Sequence, residues 1–396
     1  LSGPLPPELC ELVRLNYLNL QNNRFSGPLP AEIGKMTGLT LLDLTSNRFS
    51  GPLPEEIGRL IHLRSLLLSE NEFSGELPET LGNLINLRNF YVKTNRLSGP
   101  FPVVLTKLVK LEYLNLSFNN FSGTIPAEIG NWEELKHLYL WKNQFSGSIP
   151  PSIGKLRNLT ELSLGENRLS GELPKELGQL ENLVTAYLNN NAFTGQIPNE
   201  MTRASNLKYL NLNSNNLSGD LPDELGNWEA LESLLLGSNK ITGTFPPSIG
   251  KMKRLKFLSV FWNKMSGTLP SELGELENLE WLYLTNNRFS GTLPSSISNL
   301  KRLKILAIPN NTFSSFPEEL GDLESLEELN ASSAFSGGRI PENIGNLRNL
   351  KLMLLCNNKL SGEIPAGIGE MMMLEKLDLR HNELTGAIPA EIGYLD

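Results

Sequence analysis

Apolar residues recur along this chain with a fixed beat. Counting Leu15 as position 1, the segment LNYLNLQNNRFSGPLPAEIGKMTG is followed from Leu39 by LTLLDLTSNRFSGPLPEEIGRLIH, a repeat of 24 residues. The same register restarts at Leu63, Leu87, Leu111, Leu135, Leu159, Leu183, Leu207, Leu231, Leu255, Leu279 and Leu303, slips by one residue, and resumes at Leu326, Leu350 and Leu374. Sixteen repeats therefore fill residues 15–396, irregular over 303–349, and residues 1–14 form the tail of a preceding partial repeat. Within each unit the apolar residues at positions 4 and 6 alternate with polar ones, which predicts a short strand with one buried face. Position 9 is Asn from Asn23 to Asn382 except at Ala334, and its amide can satisfy buried backbone groups where the chain leaves the strand. The F/L-S-G-x-L/I-P segment redirects the backbone, with Gly admitting unusual φ and Pro fixing it. The stretch after it, such as AEIGKM, supplies about two turns of helix or 3-10 helix. One such unit cannot cover its own apolar face, but a stack of them buries a continuous core.

The L-x-x-L-x-L-x-x-N pattern with S-G-x-L/I-P after the Asn resembles the plant-type leucine-rich repeat, found in receptor-like kinase and receptor-like protein ectodomains and in polygalacturonase inhibitors. The resemblance covers essentially the whole chain. It implies an α/β repeat solenoid, a right-handed superhelix with a parallel concave sheet and short helical or 3-10 segments on the convex side. It also implies an extracellular or cell-surface location. The chain departs from the family pattern in favouring SGPLP, SGELP and SGTLP, and in lacking paired-cysteine caps. It begins and ends inside a repeat and reads as a segment of a longer protein.

Strand positions 3, 5, 7, 8 and 10 point away from the core, so packing does not dictate them. Aromatic residues gather there: Tyr91, Tyr113, Phe118, His137, Tyr139, Trp141, Tyr187 and Tyr209, and then Phe257, Phe261, Trp262, Trp281 and Tyr283. Large exposed rings are typical interface anchors, although rings on adjacent strands also stabilise a sheet by about 0.2–1 kcal/mol per pair. Interleaved Asn residues such as Asn115, Asn189 and Asn211 suit a protein, peptide or glycan ligand better than a phosphate. Trp132 and Trp228, each in a GNWE segment at a position usually Leu, read as core. Position 2 alternates in sign through Lys208, Glu232, Lys256, Glu280, Lys304, Glu327, Lys351 and Glu375, a pattern for charge pairing between strands. The short thirteenth repeat and Ala334 in the fourteenth predict a local bulge or change of curvature, and MTRASN makes the eighth repeat atypical.

Composition narrows the function. The net charge of -8 opposes a nucleic-acid-binding role. No apolar run approaches the roughly 18 residues of a membrane span. Cys10 and Cys356, about fourteen repeats apart, cannot bridge; Cys10 reads as buried and Cys356 as an exposed concave thiol. Three scattered histidines offer no metal site, and neither a cofactor motif nor a catalytic constellation is present. N-x-S/T sequons at Asn158, Asn115, Asn120, Asn216, Asn310 and Asn330 are candidate glycosylation sites, Asn158 foremost. The leading expectation is an extracellular recognition module, binding along the concave aromatic stripe, with a co-receptor or self-association as further contacts. A structural matrix or fibre component and an inhibitor of cell-wall hydrolases are the alternatives.

Overall fold

The computed structural model describes residues 1–395, which divide into two compact units, one over Leu1–Phe193 and one from Thr194 onward. Both are built from the same three-part repeat. A strand of three residues comes first, as in Tyr17–Asn19. A second short strand follows the Asn, as in Arg24–Gly27, and then a five-residue 3-10 helix, as in Ala31–Lys35.

In the first unit the leading strands from Tyr17–Asn19 to Thr185–Tyr187 form a parallel sheet in constant register, Tyr113 opposite His137 and Asn115 opposite Tyr139. The post-Asn strands form a second parallel sheet beside it. In the second unit the leading strands run from Tyr209–Asn211 to Lys376–Asp378, while the post-Asn strands pair only in short groups. The irregular repeats put no bulge into the leading sheet, where Ile305 pairs with Glu328 and then Glu328 with Leu352. Their irregularity falls instead on the second layer, which shrinks there to one isolated bridge between Phe313 and Phe335.

The core lies between these layers and the helical side, where leucines of positions 1, 4 and 6, such as Leu39, Leu42 and Leu44, are fully buried. The Phe of the F-S-G segment joins it: Phe25, Phe49 and Phe73 stack with centroids 5.9 and 6.0 Å apart. Trp132 and Trp228 are both fully buried, as their repeat position predicts.

The Asn ladder supplies the hydrogen bonds that a strand end otherwise lacks. Asn119 donates from Nδ2 to the carbonyls of Val92 (2.8 Å), Leu116 (3.1 Å) and Ser117 (3.2 Å), and its Oδ1 accepts from the Leu97 N–H at 3.0 Å. At Ala334 the side chain is missing, and the backbone carbonyl of Ala334 takes over, accepting from the Phe313 N–H at 2.9 Å.

The helical segments are all 3-10 among the described residues, closed by i→i+3 bonds such as Ile33 N–H to Pro30 carbonyl at 3.0 Å. Close packing between repeats holds them this tight. A Cβ placed on Gly274 meets the Ser296 carbonyl oxygen of the next repeat at 2.1 Å. Two repeats carry Thr at this glycine position, Thr106 and Thr202, and in both cases the next repeat carries Trp in place of Leu. Trp132 then donates its indole N–H to the Leu105 carbonyl at 3.0 Å, and Trp228 donates to Met201 at 3.2 Å. The threonine Cβ keeps the neighbouring helix away and the indole fills the space that opens, as close packing demands.

Candidate functional site

The open face of each leading sheet is set by two local features. Side chains at positions 3 and 5 stand out from the strand, opposite the buried leucines. Position 8 then adopts a left-handed backbone in every repeat, with φ between 50° and 57° at non-glycine residues. This turn is closed by hydrogen bonds to the next strand end, for example Phe118 N–H to Trp141 carbonyl at 2.9 Å. Asn occupies it at Asn22, Asn190, Asn286, Asn310 and Asn357, as expected of a residue that tolerates positive φ. Phe118 and Trp262 also occupy it, and a bulky ring in this region is an outlier of the kind that gathers at functional sites.

In the first unit the open face holds a depression of about 480 Å³ lined by Tyr91, Phe118, Tyr139, Trp141 and Tyr187, with Lys93, Asn115 and three serines, Ser69, Ser117 and Ser163. Trp141 is 36% exposed and Tyr187 41%. Phe118 and Trp141 lie tilted, with centroids 5.5 Å apart. Lys93 and Lys142 hold their ammonium groups 5.6 and 5.1 Å from the Phe118 ring centroid, and neither has a carboxylate partner among the described residues.

A polar cluster borders the rings. Tyr139 donates its hydroxyl to Glu161, and His137 Nδ1 lies 3.2 Å from the same hydroxyl. Tyr113 stacks on the His137 ring at 4.5 Å. Burial, and then the bond to Glu161, push the Tyr139 hydroxyl well above its ordinary pKa, while burial raises that of Tyr91. Both phenols are therefore neutral donors around neutral pH.

In the second unit Phe257 packs on Trp281 (5.7 Å) and on Tyr283 (5.4 Å), and Lys304 lies over the Trp281 ring at 5.4 Å. Phe261 folds over the end of the preceding strand, where a Cβ on Gly237 would sit 2.4 Å from its ring. Apart from Trp262, which is 63% exposed, and Tyr209, which is 39% exposed, these rings are half-buried against one another, the arrangement of cross-strand packing.

Two expectations about other residues change. Cys356 is buried, not exposed, with Sγ 3.3 Å from the Ser332 hydroxyl that screens it. The charges at position 2 close in pairs rather than as an unbroken ladder: Lys256 with Glu232 (2.9 Å), Lys304 with Glu280 (2.7 Å) and Lys351 with Glu327 (2.7 Å). The first unit has such a contact too, Lys136 to Glu112 at 2.7 Å, with Arg88 on the other side of Glu112. Among the sequons, Asn158, Asn120 and Asn310 are exposed, while Asn115, Asn216 and Asn330 are half-buried. Asn158 donates to the Glu133 carbonyl at 2.9 Å, a junction bond that Asn182 repeats with Arg157 at 2.8 Å. Cys10 is buried. Among the described residues no cluster could hold a metal, and no helix is long and apolar enough to cross a membrane.

Lys93, Lys142, Glu161 and the serines escaped the sequence reading, which followed aromatics. The usable signal was their spacing, since residues about one repeat apart lie side by side, with Lys93 25 residues before Phe118 and Lys142 24 after it.

Models of the leucine-rich repeat region match residues 6–120 and 262–352, and single leucine-rich repeat models match 201–265 and five segments between 110 and 395. Comparison with curated protein sequences gives no match. Among solved structures, the plant peptide hormone receptor RGFR1, in complex with RGF2, is 38% identical with a TM-score of 0.95 over 100% of this chain and 63% of its own. The ectodomain of the Arabidopsis thaliana membrane receptor kinase GASSHO1/SCHENGEN3, in complex with CASPARIAN STRIP INTEGRITY FACTOR 2, is 36% identical with a TM-score of 0.93 over 100% of this chain and 47% of its own. The chain thus spans roughly half to two-thirds of those receptor chains. A leucine-rich repeat protein of Leptospira interrogans, LIC12759, is 30% identical with a TM-score of 0.74, over 96% of this chain and 95% of its own. Repeat pattern, stacked parallel strands and family match agree, and the chain belongs to the leucine-rich repeat family, in the plant-type form of receptor-kinase ectodomains.

Proposed function

We propose that this chain is an extracellular peptide-recognition module whose binding centre is the first-unit depression around Tyr139 and Trp141. The observation that carries the reading is one of chemistry: five aromatic rings converge on a hollow flanked by Lys93 and Lys142, two cations that make no ion pair among the described residues. Such a surface suits an extended peptide that seats an apolar side chain between Tyr139 and Trp141. A carboxylate beside it would meet the two lysines. The serine hydroxyls and the Tyr139 phenol supply polar groups for the peptide backbone. Similarity to receptor ectodomains solved with peptide ligands supports this class of ligand.

The test is selection of peptides from a random display library on the whole chain, followed by affinity measurements on the selected peptides. Trp141→Ala and Phe118→Ala should each weaken binding by about 2 kcal/mol, roughly 30-fold, as central aromatic anchors do. Trp262→Ala should leave it unchanged. Full affinity in both first-unit variants removes the hollow as the site.

A further inference from the structure

The eighth repeat departs from the pattern on the helical side, where Met201-Thr202-Arg203-Ala204-Ser205-Asn206 replaces the usual L-G-x-L-x-x. Thr202 takes the glycine position, its hydroxyl donating to the Asn199 carbonyl at 2.7 Å. The next 3-10 helix shortens to Leu225–Asn227, and Trp228 fills the gap beneath. The first unit contains the same substitution pair, Thr106 with Trp132, and is a built-in comparison. The two differ on the outer surface. Val109 and Glu134 of the first pair correspond to Ser205 and Ala230 of the second, and beneath them the buried Leu108 corresponds to the buried Ala204.

Two of these shorter side chains, Ser205 and Ala230, line a depression of about 810 Å³, larger than the concave one and within the roughly 300–1,000 Å³ of ligand sites. Four cations line it, Arg203, Lys251, Lys253 and Arg254, against the single carboxylate of Glu229. Lys253 is engaged by Glu275 at 2.9 Å, whereas Arg203, Lys251 and Arg254 make no ion pair among the described residues. Clustered cations on a chain of net charge -8 concentrate positive potential in one hollow. Guanidinium groups match carboxylate and sulfate oxygens in pairs. The rest of the lining is hydroxyl and amide, from Thr202, Ser205, Asn206 and Asn227, together with Ala230, and it includes no aromatic ring on which a nucleic-acid base would stack.

We infer that this flank depression binds a short acidic oligosaccharide, its anionic groups held by Arg203, Lys251 and Arg254 and its hydroxyls by Ser205 and Asn227. The inference is independent of the peptide reading, since it rests on different residues in the other unit.

The whole chain should be titrated calorimetrically with trigalacturonate, a sulfated disaccharide, neutral maltotriose and inorganic sulfate. Binding of either anionic sugar, tighter than sulfate and absent for maltotriose, is expected, and the two arms decide between uronate and sulfate ester. Arg203→Gln and Arg254→Gln should each lower affinity about tenfold. Ala230→Leu keeps every charge but fills the hollow, and should abolish binding while leaving thermal unfolding unchanged. Anionic sugars that bind no better than sulfate overturn the assignment. Unaltered binding in the arginine variants overturns it too. Loss on arginine substitution with normal binding in Ala230→Leu would mark a diffuse surface charge and equally overturn it.

Discussion

Replacing Asn119 with Ala tests both the scaffold and the way it presents the site. Asn119 is 8% exposed and follows Phe118, the ring that its turn projects onto the open face. Truncation does not orphan every group the amide touches. The Val92 carbonyl keeps Asn95 (3.1 Å), the Leu116 carbonyl keeps Asn143 (3.0 Å), and the Ser117 carbonyl keeps the Thr94 N–H (3.0 Å). The Leu97 N–H alone loses its partner, since it reaches only Asn119 Oδ1. A buried unsatisfied donor costs about 1–3 kcal/mol, and the weakened acceptor contacts add about 1 kcal/mol more. The expected loss is therefore about 2–4 kcal/mol, read as a lower midpoint in guanidinium unfolding monitored by far-UV circular dichroism. The introduced mutation lacks the compensation found at Ala334, where the backbone carbonyl stands in for the missing side-chain acceptor. Accordingly Ala334→Asn should stabilise by less than about 0.5 kcal/mol or not at all. A loss below about 1 kcal/mol for Asn119→Ala would refute the reasoning, because it would mean the ladder is hydrated rather than buried.

Gly274→Ala should destabilise by about 2 kcal/mol or more, since its Cβ would lie 2.1 Å from a backbone oxygen that cannot yield cheaply; thermal unfolding checks this. Thr106 and Trp132 should behave as one unit. Thr106→Gly and Trp132→Leu each destabilise, and the double variant should recover about 1 kcal/mol relative to additivity in a double-mutant cycle. The carboxyl of Glu112 is held below its ordinary range by Lys136 and then Arg88, that of Glu232 by Lys256, and that of Glu327 by Lys351. Carboxylates depressed on folding stabilise the native state above their unfolded value and lose that contribution as pH falls through the folded one. Stability should thus decline from about pH 4.5 downward, by about 0.2–1 kcal/mol per solvent-screened pair, and high salt should flatten the profile.

The match between sequence and structure is uneven for identifiable reasons. The leucines at positions 4 and 6 and the Asn at position 9 announce themselves because one geometry is imposed again and again, so the strand, its buried face and the amide ladder were all legible. The same arithmetic put Trp132 and Trp228 in the core. It misplaced Cys356, because a position on the open side can still be covered by a neighbour such as Ser332. It did not show that Phe257 packs on both Trp281 and Tyr283, a relation between neighbouring strands.

By itself, then, the sequence determined the repeat, the parallel stack and the side on which aromatic rings stand, because these follow from periodicity and side-chain alternation within one unit. Tertiary structure decided the rest. The close approach that forces Gly274, the wedge of Trp132 behind Thr106, the two lysines around Phe118 and the cations of the flank hollow all arise between residues one or more repeats apart. Those relations depend on the spacing of packed neighbours, a quantity of the folded stack that no single repeat contains.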